Sequence, residues 1–445
     1  MRICIINEFF YPDSTGGTGT VLSELARTLA DANEEVTIDV ITSTNLYRKS
    51  PVTLPSVENW DGINIYRMSS PHPNGLSMPS RLLANVVFTL NALFKILQLG
   101  KFDVVLVGTA PPMVAFASSI YKALTKTPFI YIVYDLEPDR SVTMHVFGRA
   151  HPFVWIFRLG QSAWLKAASR IVVLGRCMRD YVSRSYDLPQ AKIDVIPIGA
   201  NENQIVPGRR QSAFRRKHGI GGFVVLYSGN FGRYHDFDTI LDAAKGLLEK
   251  NPDIKVVLVG GGAQEEHIAG RVANERIDNV KIFDFVSAED YSDLLASADV
   301  SLVTLEPGME GLCVPSKFYS ILASGRPVVA MLSQQSEVSL VINESNCGIQ
   351  VDQGASEKLI DSLVWLAEHP VERQLMGNAA RAALVERFGT KIIATQYYEV
   401  FKAACIDRPL NATSVISGNG MVGLRSTAAQ TEAENQSRPE PVTID

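Results

Sequence analysis

EPGMEGLCVPSKFYSILASGRPVVA, residues 306–330, is preceded by the apolar run DVSLVTL at 299–305 and ends in a second, PVVAM at 327–331. Both runs are short and rich in β-branched residues, as buried strands of a parallel sheet are. Between them the pattern predicts an acidic, glycine-containing loop and a short helix. Ser316, after Pro315, is the expected N-cap, and Gly325 the expected stop. That arrangement leaves the amides of Lys317, Phe318 and Tyr319 free to meet an anion beside the Lys317 ammonium. The Glu310 carboxylate stands one short loop away. A carboxylate, an amide cluster and a lysine at the carboxyl end of parallel strands suit a phosphate-bearing sugar.

The same alternation of strand, glycine exit and helix recurs on both sides of this segment. RICIIN at 2–7 reads as a first central strand, followed by EFFYPDSTGGTGT with Gly16, Gly17 and Gly19, then by an amphipathic helix. Further strands are expected at 36–43, 63–68, 103–112, 128–134, 170–175 and 192–201. The run at 128–134 empties into Asp135, Glu137 and Asp139, and Asp135, next to the apolar residues, should be the best ordered. A Pro- and Gly-containing stretch near 202–212 reads as a linker. A second series begins at 223–227 and runs into SGNFGR, where Gly229 and Gly232 relax the loop while Asn230, Arg233 and His235 can hydrogen-bond an anion. Helices are expected at 356–367, 373–388 and 390–404. Beyond 407 the composition is that of a disordered tail.

Bulk properties narrow the function. The chain has 445 residues, 46% of them hydrophobic, and a net charge of −5, which fits a globular protein and argues against nucleic acid as its partner. The five cysteines show no metal-ligand spacing and read as reduced thiols of a cytoplasmic protein. MRICIIN reads as a strand start, not a signal peptide. Residues 82–99 form an apolar run broken by Asn85, Thr89, Asn91, Lys95 and Gln98. An amphipathic helix is expected there, either core or a face that lies on the inner membrane from the cytoplasmic side. A helix over 145–170, with Phe153, Trp155, Phe157 and Trp164, carries the same two readings.

The order E-G-L-C-V-P-S-K-F-Y-S-I-L-A-S-G-R-P-V resembles the donor-site segment of retaining family 4 glycosyltransferases with the GT-B fold. The V-P-S-K form resembles a bacterial branch that builds surface polysaccharide and O-antigen, including the N-acetylfucosaminyltransferase type. Glu310-Gly311 matches the family's first Glu, whereas its second Glu falls at Ser320 here.

The resemblance implies an α/β chain of two doubly wound Rossmann-like domains facing a cleft: 1–202 on the acceptor side, 203–388 binding nucleotide sugar, and 389–406 crossing back as a helix. It implies sugar transfer from a nucleotide-diphosphate sugar to a lipid-linked glycan or polysaccharide, with retention of anomeric configuration. Glu310 would act on the donor sugar and Asp135 would orient the acceptor hydroxyl. Gly17 would face the cleft, and Gly229, Asn230, Arg233 and His235 would hold the diphosphate with Ser316, Lys317 and Ser320. Phe285 and Val286 would flank the base. No D-x-D in a metal-compatible setting appears, so no metal or other cofactor is expected. The rival readings are a nucleotide-sugar epimerase of the same fold and a non-catalytic nucleotide-sugar-binding module.

Overall fold

The structure, a computed structural model, describes residues 1–12, 17–46, 54–70 and 78–406. Gly16 and the tail from 407 lie outside the described residues. The first lobe is built on β1 (Arg2–Ile6), β2 (Thr37–Ser43), β3 (Val57–Trp60), β4 (Ile63–Met68), β5 (Val104–Val107), β6 (Phe129–Val133), β7 (Arg170–Val173) and β8 (Ile193–Val195). They form one sheet in the order β3-β4-β2-β1-β5-β6-β7-β8. Every pairing is parallel except β3 with β4. Ile3, Cys4, Ile5 and Ile6 of β1 are fully buried, as a central strand covered on both faces must be.

The second lobe holds β9 (Phe223–Asn230), β10 (Ile254–Gly261), β11 (Val280–Phe283), β12 (Val300–Thr304), β13 (Val328–Met331) and β14 (Gly348–Val351). Their order, β11-β10-β9-β12-β13-β14, is parallel throughout. The strand order reverses between β1 and β5 in one sheet and between β9 and β12 in the other. Those two crevices are where open α/β sheets take ligands.

The helix Thr390–Ile406 packs on the helix Gly17–Ala32 and against β5 and β6, so the chain ends its described course on the first lobe. Glu202 fixes its start, accepting from the Thr390 amide at 3.0 Å. Phe401 and Tyr397 share one apolar cluster with Ile5, Val107, Phe318 and Leu322, so the two lobes have a common core.

Three elements depart from the sequence reading. The antiparallel β3 was not expected; it joins β4 through Asp61 and Gly62, both at positive φ, the turn that an Asp-Gly pair favours. The helix expected over 145–170 runs only from Pro152 to Ala167, because proline is accommodated at a helix's first position and not inside it. The last residues of the helix expected over 373–388 wind as a π turn, Leu384–Phe388.

Candidate active site

The exits of β6 and β12 touch. The Leu136 amide donates to the Leu312 carbonyl at 2.9 Å, and Asp135 pairs with Cys313 in an isolated antiparallel bridge. The acidic rim of the first lobe thus lies directly against the Glu310 loop of the second. Gly311 makes that approach feasible. Its φ is +79°, and a Cβ there would stand 2.9 Å from Tyr181 Cβ and 3.1 Å from the Cys177 carbonyl on the facing helix.

Lys317 is the centre of the second-lobe site. It begins the helix Lys317–Ala323 and is half-buried. Its ammonium donates to the Tyr227 hydroxyl and lies 3.7 Å from that ring's centroid. No carboxylate among the described residues pairs with it. Burial pushes its pKa well below the usual lysine value, so an anion bound beside it would be needed to hold the proton on the amine. The exit of β9 passes directly beneath. Gly229, at φ +139°, leaves the room the lysine occupies, since a Cβ there would stand 3.3 Å from Lys317 Cε and 3.4 Å from Nζ. Asn230 and Arg233 are exposed on the same loop.

Two expected contributors behave otherwise. Ser316 is already helical, at φ −61° and ψ −30°, and its side chain caps nothing. The Phe318 and Tyr319 amides are taken by the Pro315 and Ser316 carbonyls, both at 3.2 Å. The helix tightens on its own first turn, so the expected trio of open amides reduces to that of Lys317. His235 is 3% exposed, with Nδ1 2.6 Å from the Thr304 carbonyl. Burial, and then the Lys317 charge, push its pKa well below the usual value, so the ring is neutral. A neutral imidazole donating Nδ1–H to a carbonyl keeps Nε2 as an acceptor and has no proton for a phosphate. His235 therefore buttresses Tyr227 and Phe237 instead of binding an anion.

Glu310 is half-buried, and its Oε1 accepts from Gln353 Nε2 at 3.0 Å. Gln353, just beyond β14, was invisible to motif reading, as was Tyr227, the partner of Lys317. Ser320 lies one turn after Lys317 on the same helix and is half-buried. Phe285 is 39% exposed, with its ring 3.4 Å from where a Cβ of Gly261 would stand, and Val286 is half-buried beside it. Asp135 is committed to Arg140 at 2.8 Å. Gly17 starts its helix exposed, at φ +78°, and no contact among the described residues joins it to the second-lobe group.

Two doubly wound sheets whose strand exits meet, with a half-buried lysine at the strand-order reversal of the second, form two Rossmann-like domains with room for an anionic ligand. Residues 210–383 match the family model "Glycosyl transferases group 1", and residues 16–199 match "Glycosyl transferase 4-like domain". The probable glycosyltransferase WbjE of Pseudomonas aeruginosa is 28% identical over 71% of this chain and 76% of its own. A phosphatidyl-myo-inositol mannosyltransferase of Mycobacterium leprae is 25% identical over 52% of this chain and 59% of its own. Anabaena HepE, solved in complex with UDP and glucose, superposes with a TM-score of 0.67 at 15% identity, covering 91% of this chain and all of HepE. The chain is a glycosyltransferase of the GT-B fold, with a family-4-like first domain and a group 1 second domain.

Proposed function

We propose that the enzyme transfers a sugar from a nucleotide-diphosphate donor to a lipid-linked or polysaccharide acceptor in cell-surface polysaccharide biosynthesis, with retention at the anomeric carbon. The observation that carries this is the lone Lys317 charge, held over Gly229 at the strand-order reversal of the second sheet. As the glycosidic bond to the donor breaks, negative charge builds on the leaving diphosphate. Lys317 and the exposed Arg233 are placed to neutralise it. These cations fill the place a divalent ion takes in other transferases, so the reaction proceeds without a resident metal. Glu310, aimed by Gln353, holds hydroxyls of the transferred sugar. Asp135 lies across the lobe junction on the acceptor side. Ser320 stands where a carboxylate would grip the donor ribose, and with no clear double-displacement pair among the described residues the attack comes from the face the leaving group departs.

The acceptor class is supported by the lipid in the mannosyltransferase's name and by the surface of the first lobe. The helices Met78–Leu99, Val114–Thr125 and Pro152–Ala167 are packed side by side and contain no Asp or Glu. Ala84, Phe88, Ala92 and Ile96 bury the inner face of the first helix, whereas Leu83, Phe94, Leu124, Trp155 and Ile156 are each at least 60% exposed. An apolar, acid-free face of this kind suits peripheral docking on the cytoplasmic leaflet. Mass spectrometry of the enzyme with a panel of nucleotide sugars and a membrane extract tests the function, and proton couplings of the product test retention. A glycosylated lipid with an unchanged anomeric configuration is expected. Isomerised free donor would establish an epimerase instead, and binding without conversion a non-catalytic module.

A further inference from the structure

The strand-order reversal of the first sheet holds an acid that nothing above uses. Glu8 follows β1, and its backbone is fixed from both sides of the crevice. Its amide donates to the Ala110 carbonyl beyond β5 at 2.6 Å. Its carbonyl accepts from Thr42 Oγ1 at 2.9 Å, Ser43 Oγ at 2.8 Å and the Ser43 amide at 3.0 Å at the end of β2. Glu8 is 5% exposed, and no donor among the described residues reaches its carboxyl group. Arg67 of β4, two strands from β1, gives its terminal nitrogens to Glu58 at 2.6 Å and to the Tyr11 carbonyl at 2.8 Å.

Glu8 has company. Asn7 Nδ2 is spent on the Phe9 carbonyl and Thr18, but Asn7 Oδ1 has no partner among the described residues, nor has the Tyr134 hydroxyl on the residue after β6. Both flank Gly108, beyond β5: a Cβ there would stand 2.7 Å from Asn7 Oδ1 and 3.4 Å from the Tyr134 ring. Asn7 Oδ1 and the Tyr134 hydroxyl, buried and unpaired among the described residues at adjoining strand exits, have no explanation in the fold itself. Asp135, the acid first expected to serve the acceptor, is by contrast already bound by Arg140.

We propose that Glu8 positions the acceptor, receiving a hydrogen bond from a hydroxyl of the acceptor sugar at the exits of β1, β5 and β6. This rests on the transferase reading above. A hydroxyl is both donor and acceptor, so a hydroxyl of the acceptor sugar gives its proton to the Glu8 carboxylate, which has no donor of its own among the described residues. Burial alone lifts the Glu8 pKa to about 7, so its carboxyl changes from donor to pure acceptor across neutral pH.

The test uses the full chain, the donor that the nucleotide-sugar panel identifies, and a bacterial lipid extract as acceptor. Glu8→Gln, close in shape, is expected to cut kcat/KM for the extract about 100-fold and to abolish the acid limb of its pH profile near neutrality. Donor affinity is expected to stay within about twofold, the donor being bound on the other lobe. Glu8→Asp is expected to keep the acid limb at reduced rate. A Glu8→Gln enzyme with wild-type transfer and an intact acid limb would overturn the assignment, as would equal loss of donor binding. A wild type that turns over no nucleotide sugar would instead count against the transferase reading itself.

Discussion

Lys317 carries the binding claim at the scale of single residues. Among the described residues its one polar partner is a neutral phenol, and in the proposed site a diphosphate would supply the countercharge. Lys317→Ala is expected to lower kcat by a factor of about 100 to 1,000, the usual cost of removing one group aimed at developing charge. Steady-state kinetics reads that loss, and circular dichroism should show an unchanged fold. Glu310→Ala is expected to lose most turnover, and retained wild-type turnover would remove Glu310 from the site. Glu8 makes a separate prediction about stability. Its folded pKa, about 7, lies above the ordinary glutamate value of 4.5, so between those values the folded state holds the proton the unfolded chain has released. Stability should therefore fall as pH rises through that window, by about 3 kcal/mol at most. Glu8→Gln, which cannot ionise, should show a smaller drop in melting temperature between pH 5 and pH 8 than the wild type.

At the scale of elements, the helix Arg176–Tyr186 of the first lobe is tied to the helix Glu337–Ser345 of the second. Glu337 accepts from the Arg176 amide at 2.5 Å and pairs with its guanidinium at 3.0 Å. Glu344 then bridges Arg176 and Arg387. Glu337 is nearly buried and Arg176 is not, so Glu337→Ala should cost about 2 kcal/mol, less than breaking a fully buried pair. Chemical denaturation measures it. The strand-to-glycine exits were legible because buried parallel strands are written as unbroken β-branched runs. Gly325, at φ +66°, ends its helix where the sequence placed the stop. The β3–β4 hairpin is equally legible in Asp61-Gly62. The Ser316 cap and the His235 contact were not legible. A Ser after Pro reads the same whether it caps or has already entered the helix, and a loop histidine reads the same exposed or buried. Gln353, more than forty residues from Glu310, reaches it only through the sheet.

At the scale of the molecule, the two lobes share a core closed by the helix Thr390–Ile406, which belongs by sequence to the second and by contact to the first. Deleting it should expose Phe401's partners and leave an insoluble protein, readable in expression trials. The acid-free face of the first lobe should bring the enzyme up with anionic liposomes in flotation, and Phe94→Ser with Trp155→Ser should leave it at the bottom of the gradient. Recovery of none of the wild type with liposomes would remove the membrane reading. The account as a whole turns on a diphosphate at Lys317. Calorimetric titration of UDP and GDP into wild type and Lys317→Ala addresses that most directly. Saturable binding of one nucleotide, weakened at least about tenfold by the substitution, a loss of about 1.4 kcal/mol, is the predicted result. Equal affinity in the two proteins would contradict it.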